Sequence, residues 1–282
     1  MIKAFILLII CILSIYIKAQ TADISGYIQT EFQYGQRDAT LNVGNANEDE
    51  RDGFYRFGVR CGRVKATFES DKSLSAVFQA DMTEKGIALK DVYLSVKPDF
   101  CHIVEFKSGV MKRIFGREIP LSSSVRESPE RAAVWRKMFP DERDLGVAVM
   151  FQPLAKYLKV ETGLYAGNGI KPQTSDRMDF AARLSGEFYG ASYYHSAFAR
   201  CDYFGIDLTA RFSSALGTTR ATGESIYSKS SAGQDFDGGY ITLVQEWASV
   251  PLTSVLKYDW ADNQTFGFGL LWSYRPDVKL TV

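Results

Sequence analysis

Segments in which apolar and polar residues alternate strictly recur along most of the chain. Over 24–34 one parity carries Ile24, Gly26, Ile28, Thr30, Phe32 and Tyr34, and the other Ser25, Tyr27, Gln29, Glu31 and Gln33. A period of two belongs to a strand with two unlike faces. The same design recurs over 74–82, 92–96, 102–110, 145–151, 158–164, 178–188 and 266–274. In all, about thirteen such segments are predicted, with a further strand beginning at 278–282. After residue 53 the apolar parity of Tyr55, Phe57 and Val59 switches to that of Val64, Ala66 and Phe68, which predicts a bulge at Cys61-Gly62. Turns are predicted at Ser70-Asp71-Lys72, Lys97-Pro98-Asp99, Gly167-Asn168-Gly169 and Tyr189-Gly190. The polar tracts 36–52 and 218–239, the second rich in Gly, Ser and Thr, are expected to be exposed loops.

Alternation alone fits two architectures. A soluble sandwich buries its apolar faces in a shared core, and a transmembrane barrel turns them to lipid around a wet lumen. Three further features point to the barrel. The first is the leader, in which Lys3 precedes an apolar run from Ala4 to Ile17 and Lys18-Ala19-Gln20 offers a small residue for cleavage. That is the plan of a secretory signal peptide over 1–19, and fourteen apolar residues fall short of the roughly 20 that an anchor helix needs. The second is aromatic residues near segment ends, such as Phe32 and Tyr34, Tyr258 and Trp260, and Trp272 and Tyr274, suited to interfacial girdles. The third is length, because 282 residues are too many for one ordinary sandwich.

Charge removes other classes. Lys plus Arg and Asp plus Glu both number 33, and loss of Lys3 and Lys18 leaves 31 bases against 33 acids. No net positive field exists to hold nucleic acid. Cys11, Cys61, Cys101 and Cys201 are far apart and the two histidines stand alone, so neither a disulfide framework nor a zinc site is expected, and no cofactor is expected.

One segment breaks the strand rhythm. Residues 112–143 hold eight bases (Lys112, Arg113, Arg117, Arg126, Arg131, Arg136, Lys137, Arg143) against five acids (Glu118, Glu127, Glu130, Asp141, Glu142). Ser128 as N-cap, Pro129 at the first helical position and Phe139-Pro140 as a stop predict a short helix in a long loop. Folded into a barrel, such a loop narrows the lumen, and its arginines favour anions by charge and by forked hydrogen bonds. The plainer alternative is a solvated helix supported by a Glu127–Arg131 pair.

The strings GYIQTEFQY, SAVFQADMTEKGIALKDVYLSVKP, EFKSGVMKRIFGREI, SSSVRESPERAAVWRKMFPDERDLGVAV and GLYAGNGIKP resemble the phosphate-selective porin O and P family of outer-membrane proteins, over about 23–282. The resemblance implies a large antiparallel barrel, commonly a homotrimer among membrane lipids and lipopolysaccharide, exported to the outer membrane of a Gram-negative bacterium. It implies passive transport of small anionic solutes, phosphate among them, past an inward-folded loop. By the same resemblance Arg113, Arg117, Arg126, Arg131 and Arg143 sit on that loop and its flanks. Two features depart from the pattern. Acids (Glu31, Asp81, Glu105, Glu161, Asp179, Glu187) are as frequent as bases on the polar parity, and the chain stops at the start of a strand. The expected whole is therefore an all-β transmembrane antiparallel barrel of about 14–16 strands, C-terminally truncated here, comprising a leader (1–19), a barrel domain (20–282) and a constriction loop (112–143). The constriction residues are Arg113, Arg117, Arg126, Arg131, Arg136, Lys137 and Arg143.

Other constellations weigh less. Arg56, Arg60, Arg63 and Lys65 read as a charged wall with acids opposite. His102 and His195 lack the GxSxG context of a serine hydrolase, so catalysis is not expected. Asp235 and Asp237 lack calcium-loop spacing. The alternative to a conducting barrel is a non-conducting one that binds ligands or surfaces through its loops.

Overall fold

The computed structural model describes residues 21–35, 54–70, 73–139, 142–171, 176–231, 233, 235–261, 263–275 and 278–282. The leader and the whole of the 36–52 tract lie outside them. Among the described residues are fifteen strands: β1 (Thr21–Gly35), β2 (Phe54–Glu69), β3 (Leu74–Thr83), β4 (Gly86–Val96), β5 (Val104–Lys112), β6 (Arg143–Leu154), β7 (Leu158–Tyr165), β8 (Asp179–Ser185), β9 (Tyr189–Ser196), β10 (Cys201–Ser214), β11 (Gly217–Ser230), β12 (Phe236–Trp247), β13 (Leu252–Trp260), β14 (Gln264–Arg275) and β15 (Val278–Thr281). They form one sheet in sequence order, each strand antiparallel to the next. One helix, α1 (Ala133–Met138), sits in the β5–β6 connection.

The sheet is curled. Flat, fifteen strands would be roughly 67 Å across at about 4.8 Å per strand spacing. Yet Ser123 receives a hydrogen bond from Gln29 on β1 while the Arg126 carbonyl receives one from Lys279 on β15, at 3.4 and 3.1 Å. That stretch of chain reaches about 14 Å at most, so the two edges come round to the same loop. Among the described residues no pairing joins β1 to β15.

Polarity decides which face is inside. Ile24, Ile28, Phe57, Phe268 and Leu256 are exposed on the convex face, at 52–77% of their surface. On the concave face Arg63, Asp81, Asp144, Arg183, Asp207, Glu224 and Lys257 are buried. Leaving a large apolar side chain in water forgoes about 1.5–3 kcal/mol, and a whole belt of them would exceed the 5–15 kcal/mol net stability typical of a domain. The convex face therefore belongs against hydrocarbon, the arrangement of a transmembrane barrel and the reverse of a sandwich. Aromatic clusters mark the strand ends: Phe32, Tyr34 and Tyr55 at one rim, and Trp272 with Tyr274 at the other. The connections also differ between rims. One carries 113–142 and 166–178, and the other only connections of two to seven residues.

The structure revises four local expectations. The predicted loop 218–239 is mostly strand, because β11 and β12 pair along their length and a Thr- and Ser-bearing strand is stable when both edges are bonded and its inner face is polar. The predicted turn glycine Gly190 instead lies in β9, where a side chain would strike Asp207 and the Arg183 guanidinium; the turn is at 186–188 and contains Glu187. The bulge falls at Arg60, since Gln29 pairs with Cys61 and Thr30 with Val59. The helix begins at Ala133, five residues after the predicted N-cap. Wall side chains explain this delay: Arg60 bonds the Pro129 carbonyl and Lys257 the Glu130 carbonyl, taking acceptors that a helix would need.

Placing an arginine on the lipid face is expected to be costly. Leu256→Arg, at the middle of β13, should reduce stability by about 2–4 kcal/mol when the protein is unfolded from phospholipid vesicles by denaturant. A loss near zero would contradict a lipid-facing convex side.

Candidate functional site

The 113–142 connection folds into the concavity and is tied to the wall around most of its circumference. At its root Arg113 donates to Asp144 through Nε and Nη2 at 3.2 and 2.9 Å. Asp144, with no exposed side-chain surface, also accepts the Gly167 and Leu145 amides. At the first bend the Gly116 amide donates to Ser192 Oγ at 3.0 Å and the Arg117 amide to Glu224 Oε1 at 2.7 Å. Further on, Glu118 accepts the Ala132 amide through Oε2 and Lys257 Nζ through Oε1, both at 2.9 Å, which joins the start of α1 to β13. Ser123 bonds Tyr27 on β1 at 2.6 Å, Glu127 pairs with Arg220 on β11, and Glu130 pairs with Arg60 on β2.

Between these polar ties lies an apolar knot. Phe115, Ile119, Val134, Trp135 and Phe139 of the loop pack with Tyr165, Tyr194, Ile226 and Tyr240 of the wall. Phe115 meets Trp135 edge-on at 5.8 Å, and Phe139 meets Tyr194 at 5.1 Å. The knot fills the side of the concavity under β7–β12 and fixes the loop as a shelf rather than a free strap. Gly116 is the hinge of this packing. Its φ of +64° suits glycine, and a Cβ there would lie 2.4 Å from both the Trp135 ring and Glu224.

The predicted constriction residues divide into three groups. Arg113, Arg117 and Arg143 are anchors. Arg143 grips both oxygens of Asp91 at 2.9 and 3.0 Å and also pairs with Glu142, while Arg117 reaches the Glu187 carbonyl at 3.4 Å and Asp207 at 3.7 Å. Arg126, Arg131 and Arg136 line one recess of about 180 Å³ with Arg60, Glu130 and Glu142. Arg126 also lines a second recess of about 240 Å³, with Arg117, Arg220 and Lys257. Lys137 is held elsewhere, its ammonium 3.9 Å from the centre of the Phe236 ring. The Glu127–Arg131 pair is not formed, because the acid goes to Arg220 and the base to Glu142.

Burial disfavours ionised Glu142, but Arg143, Lys112 and Arg131 outweigh it and hold the carboxyl below its ordinary value. Burial and the neighbouring Arg131 lower Arg126, whose Nε has no hydrogen-bond partner among the described residues.

A third and larger chamber, about 320 Å³, lies between the loop and the β2–β8 wall. Arg63, Lys107, Lys159 and Arg183 line it from the strands, with Lys112, Arg113 and Arg143 at the loop's roots; its acids are Asp91 and Glu161. The sequence reading overlooked Lys107, Lys159, Arg183, Arg220 and Lys257. Their signal was inward parity within alternating strands, a weaker mark than a cluster of arginines in one loop. The three chambers beside the loop hold seven bases to two acids, four to two and four to two. The fourth, at the short-turn rim, reverses this with Glu69 and Glu105 against Lys97. Among the described residues no group of three or more His, Cys, Asp or Glu is placed to hold a metal.

Two changes test this construction. Gly116→Ala should displace the Trp135 knot and destabilise the folded protein by about 1–3 kcal/mol, read as a lower thermal midpoint. A depressed carboxyl stabilises the fold above its ordinary pKa, here 4.5, and ceases to do so as pH falls through the depressed value. Protease cleavage in the loop should therefore rise only below about pH 4.5, and Glu142→Gln should abolish that acid step.

No family model matches the chain, and no curated protein matches it. Solved structures do match. A triple mutant of the Rhodopseudomonas blastica porin is 13% identical over 93% of this chain and 93% of its own, with a TM-score of 0.57. An anion-selective porin from Comamonas acidovorans is 12% identical over 91% of this chain and 86% of its own, with a TM-score of 0.59. At such identities the likeness establishes the fold: an antiparallel sheet of the kind found in bacterial porins.

Proposed function

We propose that the protein is an outer-membrane porin through which small hydrophilic solutes diffuse passively, with anions favoured where the inward loop narrows the passage. The observation that carries this reading is the excess of bases in every chamber beside the loop, inside a sheet whose outer face is apolar. Fixed positive groups in a narrow wet space raise the local concentration of anions and lower their entry barrier. Arg126, Arg131 and Arg136 are the loop cations that line a recess together, Arg131 sharing the single Glu142 carboxylate with Lys112 and Arg143, whereas Arg113, Arg117 and Arg143 are engaged in holding the loop. Phosphate is one small anion that forked guanidinium donors suit. The anion selectivity of the Comamonas porin agrees with the proposal. Assembly as a homotrimer in the outer membrane of a Gram-negative bacterium, among lipids and lipopolysaccharide, belongs to the same reading, and no catalytic step does.

A second reading has one observation in its favour. The apolar knot occupies much of the lumen under β7–β12, as it would in a plugged barrel that binds ligands without conducting.

Single-channel recording in a planar bilayer separates the two. Unit current steps are expected, with a reversal potential in a chloride gradient that indicates anion preference. The potential should move toward zero in Arg126→Ala, Arg131→Ala and Arg136→Ala. Steps without bias would leave a porin and remove the anion preference; absence of steps would favour the plugged barrel.

A further inference from the structure

Away from the knot, the polar inner wall carries a second apolar cluster. Val244 on β12 faces Val255 on β13 in register, and Leu271 on β14 lies diagonally beyond, all three with only 2–4% of their surface exposed. Leu121 and Val125 of the loop line, with Val244, the recess of about 240 Å³, and these two are left exposed at 37% and 59%. The Val125 and Arg126 amides both donate to the Ser122 carbonyl at 3.2 Å, and the Leu121 carbonyl accepts Lys112 Nζ at 2.9 Å, so this bend of the loop holds the two apolar side chains beside Arg126. Exposed apolar surface inside a lumen of charged walls is surface for a ligand to cover.

The charged groups around this recess are matched, with one exception. Glu118 holds Lys257, Glu127 holds Arg220, Glu130 holds Arg60 and Glu142 holds Arg131. Arg117 lies between the Glu187 carbonyl and Asp207, itself bonded by Arg183. Glu224 and Asp259 flank Tyr240 in the next row of the wall, toward the long-loop rim, and do not line the recess. Lys279 bonds the Arg126 carbonyl and does not line it either. Among the described residues the Arg126 guanidinium has no hydrogen bond and no carboxylate partner, and its Nε is buried without an acceptor.

We propose that this recess binds small monocarboxylates with an apolar body, the carboxylate on Arg126 and the hydrocarbon between Leu121, Val125 and Val244. The inference deepens the proposed function by naming a class of solute, and rests on that reading for the solute's passage; binding itself needs only the recess. A volume of about 240 Å³ exceeds the roughly 150 Å³ of a cavity that takes benzene, so a body of up to about six carbons fits. The match is of one charge to one. A carboxylate presents two oxygens to the guanidinium fork, whereas a dianion such as hydrogen phosphate would bring a second charge against apolar side chains without a counter-ion. Each methylene withdrawn from water tightens binding about fourfold.

The test titrates the full chain, folded in phospholipid nanodiscs at neutral pH, with acetate, propionate, butyrate and pentanoate and with inorganic phosphate, reading dissociation constants by saturation-transfer NMR. Affinity should rise about fourfold per methylene, leaving pentanoate about 60-fold tighter than acetate and tighter than phosphate. Arg126→Ala should weaken pentanoate about tenfold or more. Leu121→Ser combined with Val125→Ser should flatten the series, and Val244→Thr, which keeps the shape of the wall, checks the flattening if circular dichroism shows the loop pair unfolded. A flat series, phosphate bound more tightly than pentanoate, or a series that survives Arg126→Ala would each overturn the proposal. Recording the same preparations in planar bilayers keeps the two readings apart. Unit steps without carboxylate binding would overturn this inference and leave the porin; the expected binding without steps would support the site and overturn the channel.

Discussion

Asp144 and Glu224 have almost no exposed surface, and each takes donors from the inward loop, the Arg113 fork and the Arg117 amide, whereas the equally buried Asp207 is bonded by Arg183 of the wall at 2.7 Å and lies 3.7 Å from the Arg117 guanidinium. A buried carboxylate without donors costs several kcal/mol, so Asp144, Glu224 and the loop are mutually dependent. A sheet that presents its charged side inward must enclose either water or a complementary polar surface. Here the loop supplies that surface under β7–β12, and the chambers hold the remainder. The path of the loop, the late start of α1 and the division of the arginines into anchors and lining groups all follow from that requirement.

The strand pattern made most of the fold legible because alternation records a difference between two environments, and each of the long segments meets both. Which environment was apolar could not be read from alternation. That came from Ile28 and Phe57 being exposed while Asp81 and Glu224 are buried. The misread stretch 218–239 shows the limit of composition as a guide. Thr222, Glu224 and Ser228 look loop-like, yet their backbone is bonded on both sides and their side chains face a polar interior.

The site was legible only as a neighbourhood. A run of arginines in a segment without strand rhythm located the inward loop, but long-range partners assigned the roles. Nothing local says that Arg143 will be taken by Asp91, or that Glu127 will pass over Arg131, four residues away, for Arg220 on β11. The helix was misplaced for the same reason, since Arg60 and Lys257 act on carbonyls that a local rule assigns to the next turn.

Electrical neutrality of the whole chain and base-rich chambers beside the loop are compatible once charges are sorted by position. Acids are concentrated where they hold the loop, at Asp91, Asp144 and Glu224, or line the recess at the short-turn rim, at Glu69 and Glu105, the latter paired with Lys97 and Lys107. Each anchoring acid neutralises a base or fixes a backbone group, and the bases left over, among them Arg126 with its unbonded Nε, collect beside the loop. The apolar knot gives these charges a fixed address. Trp135 and Phe115 pack to essentially zero exposure, so Arg126, Arg131 and Arg136 extend from a frame that cannot swing aside without opening that contact. In the proposed channel, ions would thus meet charges at set positions, and selectivity would depend on placement of charge rather than on its sum.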